Sequence, residues 1–258
     1  MHDNPLGTNL SRRALLAGSL GAGLTMTAVD RSLASPTSTV SDSTFSTAAL
    51  TVLATTDIHG HVFDWDYFAD AAFPPSDKGR SSAPLGVSRV ATIAKQVRAE
   101  QGADSVVMLD NGDTIQGTPL TYLSAKQPEK LGHDEVMARA FNLVGYDAAN
   151  IGNHEFNYGV AELFRYHNDL KAPLLCANVI DVKTGKPLTQ GSLMLTKNVA
   201  GHEVKVGIVA VTTPGSMVWD KANLVGKVDI ADPVKSAARY SVRLRKDGAD
   251  VVVVLIHA

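Results

Sequence analysis

Apolar residues recur along this chain with two different periods. Leu50-Thr51-Val52-Leu53-Ala54 opens a short run over 50–56, and Ser105-Val106-Val107-Met108-Leu109 and Val251-Val252-Val253-Val254-Leu255-Ile256 form two more. Such runs read as strands buried on both faces, so 50–56 and 251–256 are expected to be central in a sheet. A shorter, weaker strand is expected at 147–151 and another at 174–178. Residues 193–196 and 204–211, parted by 198–202, read as a hairpin. Between these runs the period lengthens to that of a helix. Over 87–98, Val87, Val90, Ile93, Ala94 and Val97 fall on one face, and Gly102 ends the pattern. Over 135–144, Val136, Ala140, Leu143 and Val144 are expected to point inward. Further helices are expected at 160–170 and 233–246. Strand and helix alternate, which predicts an α/β sandwich of mainly parallel strands plus one hairpin.

Two stretches break the pattern. Residues 57–84 form a long loop, with Phe63, Trp65, Tyr67 and Phe68 near its start; loops of this length are usually functional, and these aromatics are expected to form a small core beneath it. At the N-terminus, Ser11-Arg12-Arg13-Ala14-Leu15-Leu16 precedes a Gly/Ala-rich apolar stretch, and Ser32-Leu33-Ala34 follows. Basic, then apolar, then small is the order of an export signal, and the paired arginines resemble the twin-arginine type. Residues 1–34 are therefore expected to be an export signal and 35–49, rich in Ser and Thr, a flexible linker. Residues 50–258 are the expected catalytic domain. The apolar stretch is broken by glycines and is shorter than the roughly 20 residues of a membrane span, so no span is expected once the signal is removed. The expected location is the periplasm, cell wall or extracellular space.

Composition narrows the partners. The chain has 258 residues, 45% of them hydrophobic, and a formal charge of −2. No basic stripe with interleaved aromatics is present, so nucleic acid is not expected as a docked partner, whereas a small anionic substrate remains open. The one cysteine, Cys176, follows Pro173-Leu174-Leu175 and reads as a buried small hydrophobe. A monomer is expected.

The candidate chemistry lies just beyond the strands. Asp57-Ile58-His59, Gly112-Asp113 and Gly152-Asn153-His154-Glu155 each follow one, and His257 follows the last. In open α/β sheets, strand ends are where ligands bind. Taken singly, each side chain has a plain reading as a turn, cap or strand-end residue. Together they form a set of hard oxygen and imidazole donors suited to divalent metal ions. Continued strand geometry would put the Asp57 and His59 side chains on the same side, where they could share one ion. Gly112 permits a tight turn that brings the Asp113 carboxylate inward, and its two oxygens can bridge two ions. Asn153 offers an amide oxygen and His257 an imidazole. Asp110, Glu155 and His61 are expected to support the site and not to ligate.

Three motifs carry a resemblance. Ala54-Thr55-Thr56-Asp57-Ile58-His59-Gly60, the segment from Leu109-Asp110-Asn111-Gly112-Asp113 to Leu120, and Gly152-Asn153-His154-Glu155-Phe156-Asn157-Tyr158-Gly159 resemble the 5′-nucleotidase branch of the calcineurin-like metallophosphoesterases. The last motif, and Asp64-Trp65-Asp66-Tyr67-Phe68, are most similar to bacterial 2′,3′-cyclic-nucleotide 2′-phosphodiesterase/3′-nucleotidases. The resemblance implies an αββα sandwich and two divalent ions (Mn, Zn, Mg or Co). It implies that Asp57 and His59 bind one ion and Asn153 and His257 the other, with Asp113 between them. His154 would stabilise charge on the phosphoryl group or assist the leaving oxygen. Many 5′-nucleotidases carry an aspartate where this chain has Asn157, and an amide cannot stabilise an imidazolium as a carboxylate does. That departure favours cyclic and 3′-nucleotides as substrates. A 5′-nucleotidase or UDP-sugar hydrolase is the alternative, and a non-catalytic exported binding module is a third reading. The family also has a Gly-His-x-His motif and a base-gripping domain after the strand that bears His257. Neither is present, so the chain is expected to be the truncated N-terminal part of a longer enzyme, inactive by itself.

Overall fold

The apolar run of β2 (Val106–Asp110) shows how the core is divided. All five residues are buried, and their side chains alternate between two interiors. In this computed structural model, which describes residues 49–72 and 85–258, β2 lies between β1 (Thr51–Thr55) and β3 (Ala148–Asn150), and β4 (Leu174–Leu175) completes a four-stranded parallel sheet of order β1-β2-β3-β4. The expected export signal, nearly all of the expected linker, and residues 73–84 of the long loop lie outside the described residues.

A second sheet has the order β6-β7-β9. The hairpin of β6 (Ser192–Val199) and β7 (His202–Thr212) is antiparallel, and β9 (Val251–His257) runs parallel to β7. A small antiparallel pair joins β5 (Val179–Asp181) to β8 (Val228–Ile230). Val107, Leu109, Ala148 and Leu175 of the first sheet pack against Val206, Ile208, Ala210 and Leu255 of the second. The other face of the first sheet presents Met108, Ala149 and Leu174 to α1 (Val87–Gln101), α3 (Val136–Val144) and α4 (Val160–Asp169). The other face of the second presents Val209 and Val211 to α7 (Pro233–Lys246), which contributes Leu244. The layers are helix, sheet, sheet, helix, the sandwich expected from the sequence. Cys176 is fully buried, and burial pushes its thiol up to about 12, as suits a core residue. No helix among the described residues is long and apolar enough to cross a membrane.

Several local expectations are corrected. β1 and β9 are edge strands among the described residues, with Val52 41% and Ile256 56% exposed; an apolar run does not reveal how many neighbours a strand has. Strand β4 stops at Leu175 because the chain then crosses to the second sheet, where the Ala177 amide donates to the Ala210 carbonyl at 2.7 Å. In α3 the inward stripe is Met137, Ala138, Ala140, Phe141 and Val144, which leaves Leu143 90% exposed. In α1, Ile93 faces outward while Val87 and Ala94 are buried. Among the described residues the loop aromatics form no small core: Phe63, Trp65 and Phe68 are exposed and only Tyr67 is half-buried. Helix α2 (Pro119–Lys126), capped by Thr118, and the single turns α5 (Ser216–Trp219) and α6 (Lys221–Leu224) have too short a period to stand out in the sequence.

Candidate metal centre

Three of the five predicted ligands sit where the backbone is strained. Among the described residues, six non-glycine residues have positive φ, and three of them are Asp57 (55°), His59 (48°) and Asp113 (60°). The left-handed region costs an L-residue roughly 1–2 kcal/mol, so surrounding structure must impose it. Beyond the ends of β1 and β2, their loops stay hydrogen-bonded. The Asp57 amide donates to Gly112 O at 3.0 Å, that of His59 to Asp113 O at 2.8 Å, and that of Gly60 to Thr114 O at 2.9 Å. Strand geometry therefore does not persist through Asp57 and His59, so the alternation of a strand is not what places their side chains. Their side chains nevertheless meet, with His59 Nε2 3.7 Å from Asp57 Oδ1.

Glu155 holds the Asp113 loop against the Gly152 loop. Its buried carboxylate accepts four backbone N–H bonds, from Asp113 (2.8 Å), Thr114 (2.5 Å), Ile115 (3.3 Å) and Gly152 (2.6 Å). Burial pushes its carboxyl upward against those bonds. Gly112 (φ 95°) and Gly152 must be glycine, because a Cβ at Gly112 would collide with the Gly152 backbone and one at Gly152 with Asp113. Asp110 anchors the base of the loop by accepting from Thr55 Oγ1 (2.7 Å), Thr114 Oγ1 (2.9 Å) and Gly112 N (3.0 Å), and burial pushes its carboxyl up to about 7.

The three imidazoles share one orientation. Nδ1 of His59 lies 3.0 Å from the Gln116 carbonyl, that of His257 2.9 Å from the Asn111 carbonyl, and that of His154 2.6 Å from Asn157 Oδ1. A carbonyl only accepts, so each Nδ1 carries the proton and the other nitrogen is left for the site. The three Nε2 atoms converge on Asp113 Oδ2, at 3.1 Å for His257, 3.8 Å for His59 and 4.0 Å for His154. Burial would raise the Asp113 carboxyl, but the hydrogen bonds from His257 and the His154 amide, with the nearby imidazoles, bring it below its usual value. Against Asp113, His257 is pushed up to about 9, chiefly by the hydrogen bond between them and in spite of burial.

These donors suit divalent cations. Two ligand atoms each about 2.0–2.2 Å from one ion lie roughly 3–4 Å apart, which is the spacing seen here. The donor atoms form two groups, His59 with Asp113 and His154, and Asp57 with Asp113 and His257; within each, they lie within 4.8 Å of one another. Asp113 belongs to both. This grouping pairs Asp57 with His257 and not with His59 alone. Asn153 is half-buried at the start of the 3₁₀ turn His154–Phe156, and its side chain makes no capping bond to that turn.

Four strand ends from two sheets build the centre, and asparagines join them. Asn111 Nδ2 donates to Ile256 O (2.9 Å), and Asn150 Nδ2 to Asn111 Oδ1 (3.2 Å) and Val211 O (3.1 Å). Sequence reasoning assigned Asn111 and Asn150 no role, although both stand at strand ends beside the motifs. It also missed Asp220, whose carboxylate accepts from Asn157 Nδ2 at 3.0 and 3.1 Å.

No family model matches the chain. The 2′,3′-cyclic-nucleotide 2′-phosphodiesterase/3′-nucleotidase of Yersinia enterocolitica is 39% identical over 225 residues, which are 85% of this chain and 33% of that protein. The chain thus spans about a third of the length of the curated relatives it matches first. The crystal structure of the calcineurin-like phosphoesterase YfkN from Bacillus subtilis is similar at 33% identity and a TM-score of 0.72, over 82% of this chain and 62% of that one. A 5′-nucleotidase precursor from Thermus thermophilus has a TM-score of 0.61 at 26% identity, over 81% of this chain and 37% of that one. Sequence and fold agree: the chain belongs to the calcineurin-like phosphoesterases, in the branch of the 2′,3′-cyclic-nucleotide phosphodiesterases and 5′-nucleotidases.

Proposed function

We propose that the protein of which this chain is a part is an exported, metal-dependent phosphoesterase that hydrolyses nucleotides, with 2′,3′-cyclic and 3′-nucleotides as preferred substrates. The observation that carries the reading is the convergence of three imidazole Nε2 atoms on Asp113 Oδ2, each ring oriented by an acceptor behind it. Two divalent ions held by Asp57, His59, Asp113, Asn153 and His257 would supply Lewis-acid polarisation of the phosphoryl oxygens and activation of water. Asp113, buried and shared by both groups, holds the halves of the centre at a fixed separation. The other residues divide the work by exposure. The side chains of Asp57 and His154 are 51% and 38% exposed, so the centre opens to solvent on their side, where a nucleotide phosphate can enter. His154 lies on that side, and once its Nε2 is protonated as well, with Nδ1–H still on Asn157 Oδ1, the ring could donate to a phosphoryl oxygen or pass the Nε2 proton to the departing ribose oxygen.

The cyclic-nucleotide preference rests on Asn157 in the position where the resemblance leads one to expect aspartate, and on the similarity to cyclic-nucleotide phosphodiesterases. Export rests on the basic, apolar, small order of residues 11–34. The test is hydrolysis of 2′,3′-cyclic AMP, 3′-AMP and 5′-AMP by the full-length protein, with and without Mn²⁺ after chelation. Metal-dependent turnover that favours the first two supports the reading. A preference for 5′-AMP moves the protein to the 5′-nucleotidases, and no turnover on any of them leaves a binding module.

A further inference from the structure

We propose that Asp220 is the positioning residue for His154, acting through the Asn157 amide. The inference rests on the phosphoesterase reading for what His154 does, and on geometry alone for how the ring is held. Asp220 lies between α5 and α6 and is 8% exposed. Its two oxygens accept from Asn157 Nδ2 at 3.0 and 3.1 Å, while Asn157 Oδ1 faces His154 Nδ1 at 2.6 Å. By itself an asparagine side chain can face either way, presenting oxygen or NH₂ to the ring. A carboxylate has only acceptors, so it binds the NH₂ end and turns Oδ1 to the imidazole. That in turn requires a proton on Nδ1 and leaves Nε2 toward Asp113 and the opening of the site. Asp220 thus selects the tautomer of a ring it does not touch.

A purely mechanical tie between the segments is already present. Asn223 Nδ2 donates to the carbonyls of Phe156 (2.9 Å) and Asn157 (3.2 Å), which fastens α6 to the turn bearing His154. A second fastening needs no charge, and burying a carboxylate against a neutral amide is less favourable than burying an amide there. The carboxylate is accounted for by what it does to Asn157. It fixes the direction of the amide and makes its oxygen a stronger acceptor for the ring proton. Where relatives with aspartate at position 157 would set the carboxylate against the ring, this chain places it one side chain further back.

The experiment uses the full-length protein and three variants: Asp220→Asn, Asn157→Asp, and the double variant that exchanges the two groups. In Asp220→Asn both side chains are amides, either of which can face either way, and the selection is lost. We expect kcat on 2′,3′-cyclic AMP to fall about 10–100-fold, short of the roughly 10²–10⁴-fold that a positioned acid–base group supplies because His154 itself remains, with KM changed much less. Asn157→Asp alone sets two carboxylates against each other across about 3 Å and is expected to lose activity as well. The exchange restores one carboxylate and one amide in sequence and is expected to recover most of kcat. The second readout needs no turnover: two-bond ¹H–¹⁵N spectra of the histidine rings, with His154 assigned by His154→Gln. The Nδ1-protonated form is expected in the native protein and a mixture in Asp220→Asn. If Asp220→Asn keeps both kcat and the Nδ1-protonated ring, or if the exchange variant is as poor as the worse single variant, the proposal is overturned. Were the native protein to hydrolyse no nucleotide, the functional reading would fail, and the ring spectra would still decide the role of Asp220.

Discussion

Replacing Glu155 by glutamine tests whether the metal centre is held by its loops. The carboxylate accepts four N–H groups, two on each oxygen: Thr114 and Ile115 on Oε1, Asp113 and Gly152 on Oε2. Glutamine keeps the shape and one oxygen, but its NH₂ then faces two backbone N–H donors that the native carboxylate oxygen satisfies. Each buried orphan costs about 1–3 kcal/mol, so the gross loss is about 2–6 kcal/mol. Removing a buried charge offsets part of this, because burial already pushes Glu155 upward. A net loss of about 2–4 kcal/mol is expected, which for a domain of this size lowers Tm by roughly 5–15 °C. Urea unfolding of the full-length variant at neutral pH measures it directly. Function should fall further than stability suggests, since the Asp113 amide is one of the four donors. A displacement of about 1 Å in a reacting group can cost on the order of 100-fold in rate. A variant with less than about 0.5 kcal/mol of lost stability and native turnover would refute the claim that this clamp imposes the loop geometry.

Asp113→Ala should reduce metal-dependent phosphoesterase activity to background while the protein stays folded by circular dichroism, because both donor groups lose their shared carboxylate; near-normal turnover in metal-replete buffer would contradict it. In the native full-length protein, kcat/KM should be higher for 2′,3′-cyclic nucleotides than for 5′-nucleotides, and competition assays with the two substrates measure the ratio. Away from the centre, burial pushes Glu135, at the N-terminus of α3, up to about 7. An acid raised on folding contributes stability below its unfolded pKa of about 4.5 and loses it as pH rises to about 7. Glu135→Gln should therefore gain on the native protein in denaturant titrations run from pH 5 to pH 8, and a difference that does not change with pH would show that Glu135 titrates normally.

The layer order and most of the helices and strands were legible in the chain because alternation and helical spacing report which face of an element is buried. That Asp57, His59, Asp113 and His257 come together was legible for a related reason: each follows an apolar run that ends, and strand ends in such a sheet gather on one side. What the period cannot carry is the identity of the neighbour. Nothing in Val251–Ile256 distinguishes an edge strand from a central one, and in α3 Leu143 is as apolar as Phe141, yet packing buries only the phenylalanine. The left-handed backbone at Asp57, His59 and Asp113 follows from pairing between loops some 55 residues apart, with Gly112 pressed on Gly152. Asp220 stands in a segment without a clear period, and its partner Asn157 is 63 residues away. Local propensity acts over a few residues and leaves a trace in the sequence, whereas a hydrogen bond between distant side chains leaves none until the chain has folded.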